Sequence, residues 1–90
     1  MPRVQFTKHL IRFFPELRDG DFEGTTLAEV IASIERAYPG IGGYLVDERG
    51  GVRQHVNVFV GDDLLRERER LSDQLPRDAT ISIFQALSGG

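Results

Sequence analysis

One amphipathic segment, residues 26–38, sets the strongest constraint on the fold of this 90-residue chain. Thr26 and Glu29 form a capping box, in which the Thr26 hydroxyl accepts from the Glu29 amide and the Glu29 carboxylate reaches back to the Thr26 amide. A helix is therefore predicted to begin at Thr26, and Pro39 and Gly40 end it. Its apolar residues recur every three or four positions and share one face: Leu27, Val30, Ile31, Ile34 and Tyr38. Such a stripe typically buries against a sheet, so we predict one main helix packed on strands.

Strands are predicted on both sides of this helix. Residues 4–7, 56–60 and 80–84 alternate apolar and polar side chains with the period of two that is typical of a half-buried strand. Residues 17–23 are predicted to form a further strand, antiparallel to the first. Strands grouped around one helix indicate an α+β domain with a mixed sheet.

The same alternation predicts which side chains face the core. The valines of 56–60 and the isoleucines of 80–84 are predicted to share the inner side, whereas Asn57, Phe59 and Phe84 point to the opposite face. The helix and the inner side of the sheet then form one core: Val4, Phe6, Leu27, Val30, Ile31, Ile34, Val56, Val58, Val60, Ile81 and Ile83.

The connecting segments carry weaker patterns. Residues 9–15 are predicted to be a strand end followed by a packed loop, because Pro15 lacks the backbone donor that a strand needs. Residues 41–45 read as a glycine-punctuated turn that winds briefly, and residues 61–65 as a hairpin turn followed by a short pairing strand. Residues 66–70 alternate charges without an apolar face, so they are predicted to be solvated and to have no special role.

Composition excludes several functional classes. The chain has no cysteine, which rules out disulfides, thiolate metal ligands and a cysteine nucleophile, so any sulfur it handles must be carried on another group. Its net charge of −3, from 14 acidic and 11 basic residues, gives no basic field for nucleic acid. No apolar run approaches the roughly 18 residues of a membrane span. We therefore expect a soluble cytoplasmic protein with neither nucleic acid nor a membrane as partner.

The polar side chains predict no catalytic centre. His9 and His55 are the only histidines, and each is interpreted as an ordinary strand-end residue, because no ligand spacing surrounds either one. The serines lie outside any nucleophile-elbow context. We therefore expect no metal, no bound cofactor and no autonomous enzyme activity.

The chain stops on two glycines, Gly89 and Gly90. Because glycine lacks a Cβ, such an end can adopt backbone angles closed to other residues and can thread a narrow channel in another protein. Taken alone, two glycines favour the interpretation of a frayed terminus, because domain ends are commonly disordered. The residues before them change this interpretation, since the predicted last strand runs directly into a tail assigned to residues 85–90.

The strand at 56–60, the loop at 71–75, the strand at 80–84 and the tail together resemble the ubiquitin-like sulfur carriers of the MoaD and ThiS type. Residues 39–41 and 56–62 are most similar to the branch that delivers sulfur for cysteine synthesis. The resemblance implies a ubiquitin-like β-grasp, built as a single domain over residues 1–90. It also implies a mechanism, in which an E1-like adenylyltransferase of the MoeB/ThiF type consumes ATP to adenylate the C-terminal carboxylate. A sulfur donor then converts the adenylate to a thiocarboxylate, which an acceptor synthase uses.

The resemblance carries over to particular residues. Gly90 supplies the carboxylate that is adenylated and thiocarboxylated, and Gly89 precedes it in the same motif. Leu87 and Ser88 match the aliphatic and small positions before the glycines and are candidate partner contacts. Phe84 and Phe59 are candidate contacts with the adenylating and acceptor enzymes, since an exposed aromatic patch commonly marks a partner site. The alternative is that the loop at Phe13 and Phe14 covers these two rings, which are then merely packing.

Two functions remain open on the sequence. In the first, the protein is a carrier that delivers sulfur to a molybdopterin synthase large subunit, a thiazole synthase or a cysteine-forming synthase. The alternative is a ubiquitin-like modifier whose terminal glycine forms isopeptide bonds with lysines. Both functions begin with adenylation, so the tail motif alone favours neither.

Overall fold

The computed structural model describes residues 1–85, in which five strands form one mixed sheet with the order β2-β1-β5-β3-β4. The strands and helices follow one another as β1 (Arg3–Phe6), α1 (Lys8–Phe13), β2 (Gly20–Asp21), α2 (Leu27–Ala37), α3 (Ile41–Leu45), β3 (Val56–Val60), β4 (Asp63–Leu64) and β5 (Thr80–Gln85). The predicted α+β class and the mixed sheet with one main helix, α2, are confirmed.

β5 lies at the centre of the sheet. It pairs in parallel with β1, where Phe6 lies opposite Ile83, and antiparallel with β3, where Val58 lies opposite the same isoleucine. At its end, Gln85 pairs with Val56, so the strand runs one residue beyond the predicted 80–84. Gln85 therefore belongs to the sheet and was wrongly assigned to the tail, because a period-two pattern cannot show backbone pairing at a polar residue.

The start of α2 is capped almost as predicted. The Thr26 hydroxyl accepts from the Glu29 amide at 3.2 Å. The Glu29 carboxylate, however, accepts from the Thr25 amide at 2.7 Å and from the Thr25 hydroxyl at 2.9 Å, instead of from the Thr26 amide. Thr25 offers two donors to one carboxylate oxygen, which explains the shift of one residue. These bonds, the one from the Thr25 amide first, hold the pKa of the Glu29 carboxyl below its ordinary value.

Ten of the eleven predicted core residues are buried between the sheet and α2. The exception is Val60, which is half-buried at the end of β3, beside the short edge strand β4. The core also contains buried residues that the patterns did not identify: Leu10, Leu17, Ile41, Leu45, Val52 and Leu71.

The segment between β1 and α2 differs most from the prediction. Residues 8–13 form the helix α1 rather than a strand end and loop, and Pro15 follows its end, where the missing amide costs no helical hydrogen bond. Leu10 on α1 is fully buried, and this burial stabilises a helix too short to be stable alone. The predicted strand over 17–23 shrinks to Gly20–Asp21, because Leu17 turns into the core.

The brief winding at 41–45 and the hairpin at 61–65 are confirmed as α3 and β4. The charged run 66–70 is not merely solvated, so the prediction of no role is wrong. The Arg68 guanidinium donates to the carbonyls of Arg53 and Val56, both at 2.7 Å, and the Arg68 carbonyl accepts from the Val52 amide at 2.7 Å. This run fastens the loop before β5 to the start of β3.

Candidate functional site

The end of β5 is where the sequence-predicted site begins. Of the predicted site residues, Phe59 and Phe84 lie among the described ones, whereas Leu87, Ser88, Gly89 and Gly90 lie outside residues 1–85. The part of the site that the structure describes is therefore the root of the tail, at Phe84 and Gln85, and the surfaces on either side of it.

Phe59 and Phe84 lie together on the sheet face opposite α2, as predicted. Their ring centroids are 5.6 Å apart and the planes meet at 81°, the edge-to-face arrangement that aromatic pairs favour. Phe84 keeps 40% of its surface exposed. Leu64 pairs with Phe59 across β3 and β4 and is 51% exposed, so it extends the same face. We call Phe59, Leu64 and Phe84 the outer patch.

Leu64 could have been identified from the sequence only by register. It follows the turn at 61–62, and pairing across a tight hairpin places it on the face of Phe59. Because β4 has only two residues, no alternating pattern indicates which side Leu64 faces.

Phe13 and Phe14 do not cover the outer patch, so that alternative is wrong. Both rings pack against Tyr44, at 5.8 and 5.6 Å between centroids, and Tyr44 in turn packs edge-on against His55 at 5.1 Å. His55 directly precedes Val56, the residue that pairs with Gln85. These four side chains form a second aromatic cluster near the root of the tail, which the sequence did not indicate because its members are far apart in the chain.

Two buried oxygens lie at the same end of β5. Within residues 1–85, Thr7 Oγ1 and Gln85 Oε1 have no hydrogen-bond partner. Thr7 joins β1 to α1, and its amide donates to the Ile83 carbonyl at 3.3 Å.

Two carboxyl groups with lowered pKa values lie away from the root of the tail. The pKa of the Asp47 carboxyl is lowered chiefly by the hydrogen bond from the Gly51 amide, and that of Glu67 chiefly by the bond from the Arg70 amide. Both carboxylates organise turns outside β3 and β5. No cluster of histidine and acidic side chains within residues 1–85 could hold a metal ion. His9 and His55 are not joined into such a site, and the expectation of no bound metal or cofactor stays a prediction.

One open cavity of about 720 Å³ lies beside the edge strand β4. Leucines form much of its wall, with carboxylates at its rim: Leu27, Leu64, Leu65, Leu71, Leu75, Asp63, Glu67 and Asp73. It is bounded by the segment after β4 rather than by the end of β5, so it lies apart from the root of the tail. Among the helices of residues 1–85, none is both long enough and apolar enough to cross a membrane.

Comparison with known proteins decides what this arrangement is. The model of the ThiS family matches residues 11–90, which covers the last part of α1, every later helix and strand, and the two glycines. The chain belongs to the ThiS family. Membership confirms the resemblance to the MoaD and ThiS type of sulfur carrier, and the roles of Gly89 and Gly90 stay predictions.

The individual relatives of this chain include both a carrier and a modifier by name. The sulfur carrier protein CysO of Mycobacterium tuberculosis is 32% identical over 69 residues, covering 74% of each chain. Small archaeal modifier protein 3 of Haloferax volcanii is 28% identical over 68 residues, covering 76% of this chain and 73% of its own. The crystal structure of the Amycolatopsis orientalis BexX/CysO complex contains a chain with a TM-score of 0.84, 26% identity and full coverage of both chains. The ubiquitin-like β-grasp is thereby confirmed.

Proposed function

We propose that this ThiS-family protein is a sulfur carrier whose Gly90 carboxylate is activated and then converted to a thiocarboxylate. The observation that carries the proposal is that the family match extends to residue 90 and includes Gly89 and Gly90. These glycines follow the central strand β5, which ends beside an aromatic pair whose Phe84 ring is exposed. The protein acts as a co-substrate of other enzymes, and it binds no cofactor of its own.

The proposed chemistry proceeds in two steps. A carboxylate is a poor electrophile, so an E1-like adenylyltransferase of the MoeB/ThiF type joins Gly90 to the α-phosphate of ATP, and pyrophosphate leaves. A sulfur donor then attacks the acyl carbon, the bond to AMP breaks, and the sulfur stays on Gly90. At an acceptor synthase the sulfur finally bonds to the acceptor substrate, and water cleaves the acyl–sulfur bond, which releases the sulfur-containing product and restores the Gly90 carboxylate. The chain has no cysteine to hold the sulfur as a thiol or persulfide, so the sulfur is carried on the terminal acyl group of Gly90.

The outer patch is the proposed docking surface for these enzymes. Phe84 lies one residue before the end of the described chain, so an enzyme that receives the tail must approach it closely. Large aromatic side chains at the centre of an interface commonly carry much of its binding energy. Leu87 and Ser88 extend the same contact along the tail, and Phe59 supports the Phe84 ring from the adjacent strand.

The similarity to CysO supports delivery of sulfur for cysteine synthesis over the molybdopterin and thiazole alternatives. We propose that this delivery takes place in the cytoplasm. The modifier is retained as the second candidate, because small archaeal modifier protein 3 is also a relative. In that case the same activated glycine is transferred to lysines of other proteins.

The test is to incubate the full chain with ATP, its adenylating enzyme and a sulfur donor, and to follow the intact mass. The carrier function predicts first an acyl-adenylate and then a mass gain of one oxygen-to-sulfur exchange at Gly90. Supplying a cysteine-forming synthase and its substrate should return the chain to its original mass. Heavier conjugates in lysate, without a sulfur-containing small-molecule product, would support the modifier instead. Absence of the adenylate would contradict both functions.

A further inference from the structure

The open cavity of about 720 Å³ beside β4 is a groove between a free sheet edge and a fixed loop, and we call it the β4 groove. β4 is the last strand of the sheet, so no strand of residues 1–85 pairs with its outer side. On the other side of the groove, the Leu75 amide donates to the Thr25 carbonyl at 2.8 Å. The Ala28 amide donates to the Leu71 carbonyl at 3.1 Å, so the loop is held against the start of α2. Since backbone hydrogen bonds fix both walls, the groove is formed before anything binds.

Apolar side chains line the β4 groove. Leu27 and Leu71 are buried at its base, Leu65 and Leu75 are half-buried in its walls, and Leu64 is exposed at its edge. Leu71 has a φ of 57°, and within residues 1–85 it is the one non-glycine residue in the left-handed region. Such a conformation costs energy and is commonly found where the backbone is shaped for binding. The volume lies within the range of roughly 300 to 1,000 Å³ that is typical of ligand sites.

The free edge of β4 offers backbone groups to an incoming strand. Val60 and Asp63 pair on either side of a tight turn, and the Leu65 amide donates to the Val58 carbonyl at 2.8 Å. In an antiparallel ladder, residues that bond to the neighbouring strand alternate with residues whose amide and carbonyl point away from it. The amide and carbonyl of Leu64 therefore point to the free edge. Neither group forms a backbone hydrogen bond with the loops of residues 1–85.

The rim of the β4 groove is acidic. Asp63, Glu67 and Asp73 bring three negative charges to it, against the one positive charge of Arg66. Within residues 1–85, neither Asp63 nor Asp73 forms an ion pair. A second copy of this chain would bring the same surplus of negative charge, which opposes pairing of two β4 edges. A basic segment of another protein would be attracted to the same rim.

We infer that the β4 groove binds an extended, basic segment of a partner protein, in which an aliphatic side chain is flanked by arginine or lysine. The backbone of the segment pairs with Leu64 as a further strand of the sheet. Its aliphatic side chain enters the groove and contacts the leucines there. Its basic side chains lie against Asp63 and Asp73. The main-chain pairing supplies affinity, and the groove and its rim supply specificity.

The β4 groove lies away from the end of β5. It adjoins Val60, whereas Gln85 pairs with Val56 at the other end of β3. Four strand steps separate the two ends, about 13 Å. Leu64 also belongs to the outer patch, so a partner whose basic segment lies in the groove can reach the outer patch at the same time. Binding in the groove needs no activation of the C-terminus, so its test is separate from that of the proposed function.

The probe is a phage-displayed library of random peptides of about seven residues, the length of an ordinary strand, selected on the immobilised full chain. Enriched peptides should carry an aliphatic residue flanked by arginine or lysine. Synthetic copies should slow the hydrogen exchange of the Leu64 amide in wild-type protein, because that amide then donates to the peptide. Their affinity should fall as the salt concentration rises, since the rim charges are exposed.

Two double variants test the rim. Asp63→Lys with Asp73→Lys reverses two of its charges and should weaken binding of the selected peptides at least roughly tenfold. Glu16→Lys with Glu48→Lys is the matched control, because it changes the net charge equally at two exposed residues that do not line the groove. The control should weaken binding by less than about threefold, since distant exposed charges are screened. All four positions are exposed, so both variants should melt with the wild type.

Four results would each overturn the inference. The first is a selection that enriches no basic aliphatic peptide, and the second is an equal loss of affinity in the two double variants. The third is unchanged exchange at the Leu64 amide of wild type when peptide is bound, a measurement that needs no variant. The fourth is a dimer in sedimentation equilibrium whose Leu64 amide is protected without peptide, which would assign the β4 groove to a second copy of the chain.

Discussion

The two faces of β5 use similar apolar residues for opposite purposes. On the inner face, Ile81 and Ile83 are fully buried against the core. On the outer face, Phe84 keeps 40% of its surface exposed beside Phe59. An inner residue stabilises the fold by leaving water, about 25 cal/mol for each Å² of apolar surface. An outer residue stays partly in water until a partner covers it, so the comparison predicts that inner substitutions change stability and outer ones change function.

The largest functional effect is expected at the tail that follows β5. Adding one alanine after Gly90 displaces the carboxylate from the ATP site of the adenylating enzyme and introduces a Cβ. Deleting Gly90 leaves the carboxylate short by up to about 3.6 Å. Gly89→Val restricts the backbone and adds bulk beside the reacting group. All three variants should lose adenylation, measured by intact mass.

Melting temperature is the control for these tail variants. Terminal residues typically contribute little packing, so all three variants should melt with the wild type. Normal thiocarboxylation of the alanine-extended chain, without prior trimming, would contradict the carrier mechanism. A lowered melting temperature would show that the tail stabilises the fold, as the inner residues of β5 do.

Truncation on the inner side should have the largest effect on stability. Ile31 lies on α2 with 6% of its surface exposed. Ile31→Ala should lower the free energy of unfolding by roughly 2 to 5 kcal/mol, because it removes buried methyl groups and leaves a cavity. Denaturant unfolding measures this change, and adenylation of the remaining folded protein should be unaltered. A loss below about 0.5 kcal/mol, the scale of a surface substitution, would refute the burial of Ile31.

Arg68 tests whether a charged residue outside β5 can stabilise the fold as the inner residues of β5 do. Arg68→Ala removes the two hydrogen bonds to the carbonyls of Arg53 and Val56 and should cost roughly 1.5 to 3 kcal/mol of stability. Arg70→Ala is the matched control, because Arg70 is exposed two positions away and its side chain makes no hydrogen bond within residues 1–85. Equal unfolding free energies for the two variants would show that the run 66–70 is only solvated.

The sequence predicted the two faces of β5 because alternation is a local property. The face of the sheet on which each isoleucine or Phe84 lies follows from its alternation with the neighbouring residues. Arg68 was missed because its hydrogen-bond acceptors lie 12 and 15 residues away. Leu10 and Leu17 were missed because α1 has only six residues and Pro15 suggested a strand end. The outer patch was predicted at Phe59 and Phe84, and the tertiary contacts of the second aromatic cluster were not.

Phe84→Ala probes the outer face directly. Loss of an exposed ring at the centre of the outer patch should weaken binding to the adenylating enzyme about tenfold, which corresponds to roughly 1.4 kcal/mol. The unfolding free energy should change much less than in Ile31→Ala. Phe13→Ala is the matched control, because Phe13 is 61% exposed but packs on Tyr44 in the other aromatic cluster. Unchanged affinity for Phe84→Ala would remove Phe84 from the interface.

The smallest expected effect is a pH dependence at the start of α2. Hydrogen bonds from the Thr25 amide and hydroxyl hold the pKa of the Glu29 carboxyl below its ordinary value of 4.5. A carboxyl with a lowered pKa in the folded state contributes stability that is present above its unfolded pKa and lost as pH falls through the folded one. Wild type should therefore lose stability on acidification below about pH 4.5, and Glu29→Gln should lose less. Glu48→Gln is the control, because Glu48 is an exposed turn residue. An identical dependence of stability on pH for wild type and Glu29→Gln would show that the Glu29 carboxylate does not stabilise the fold.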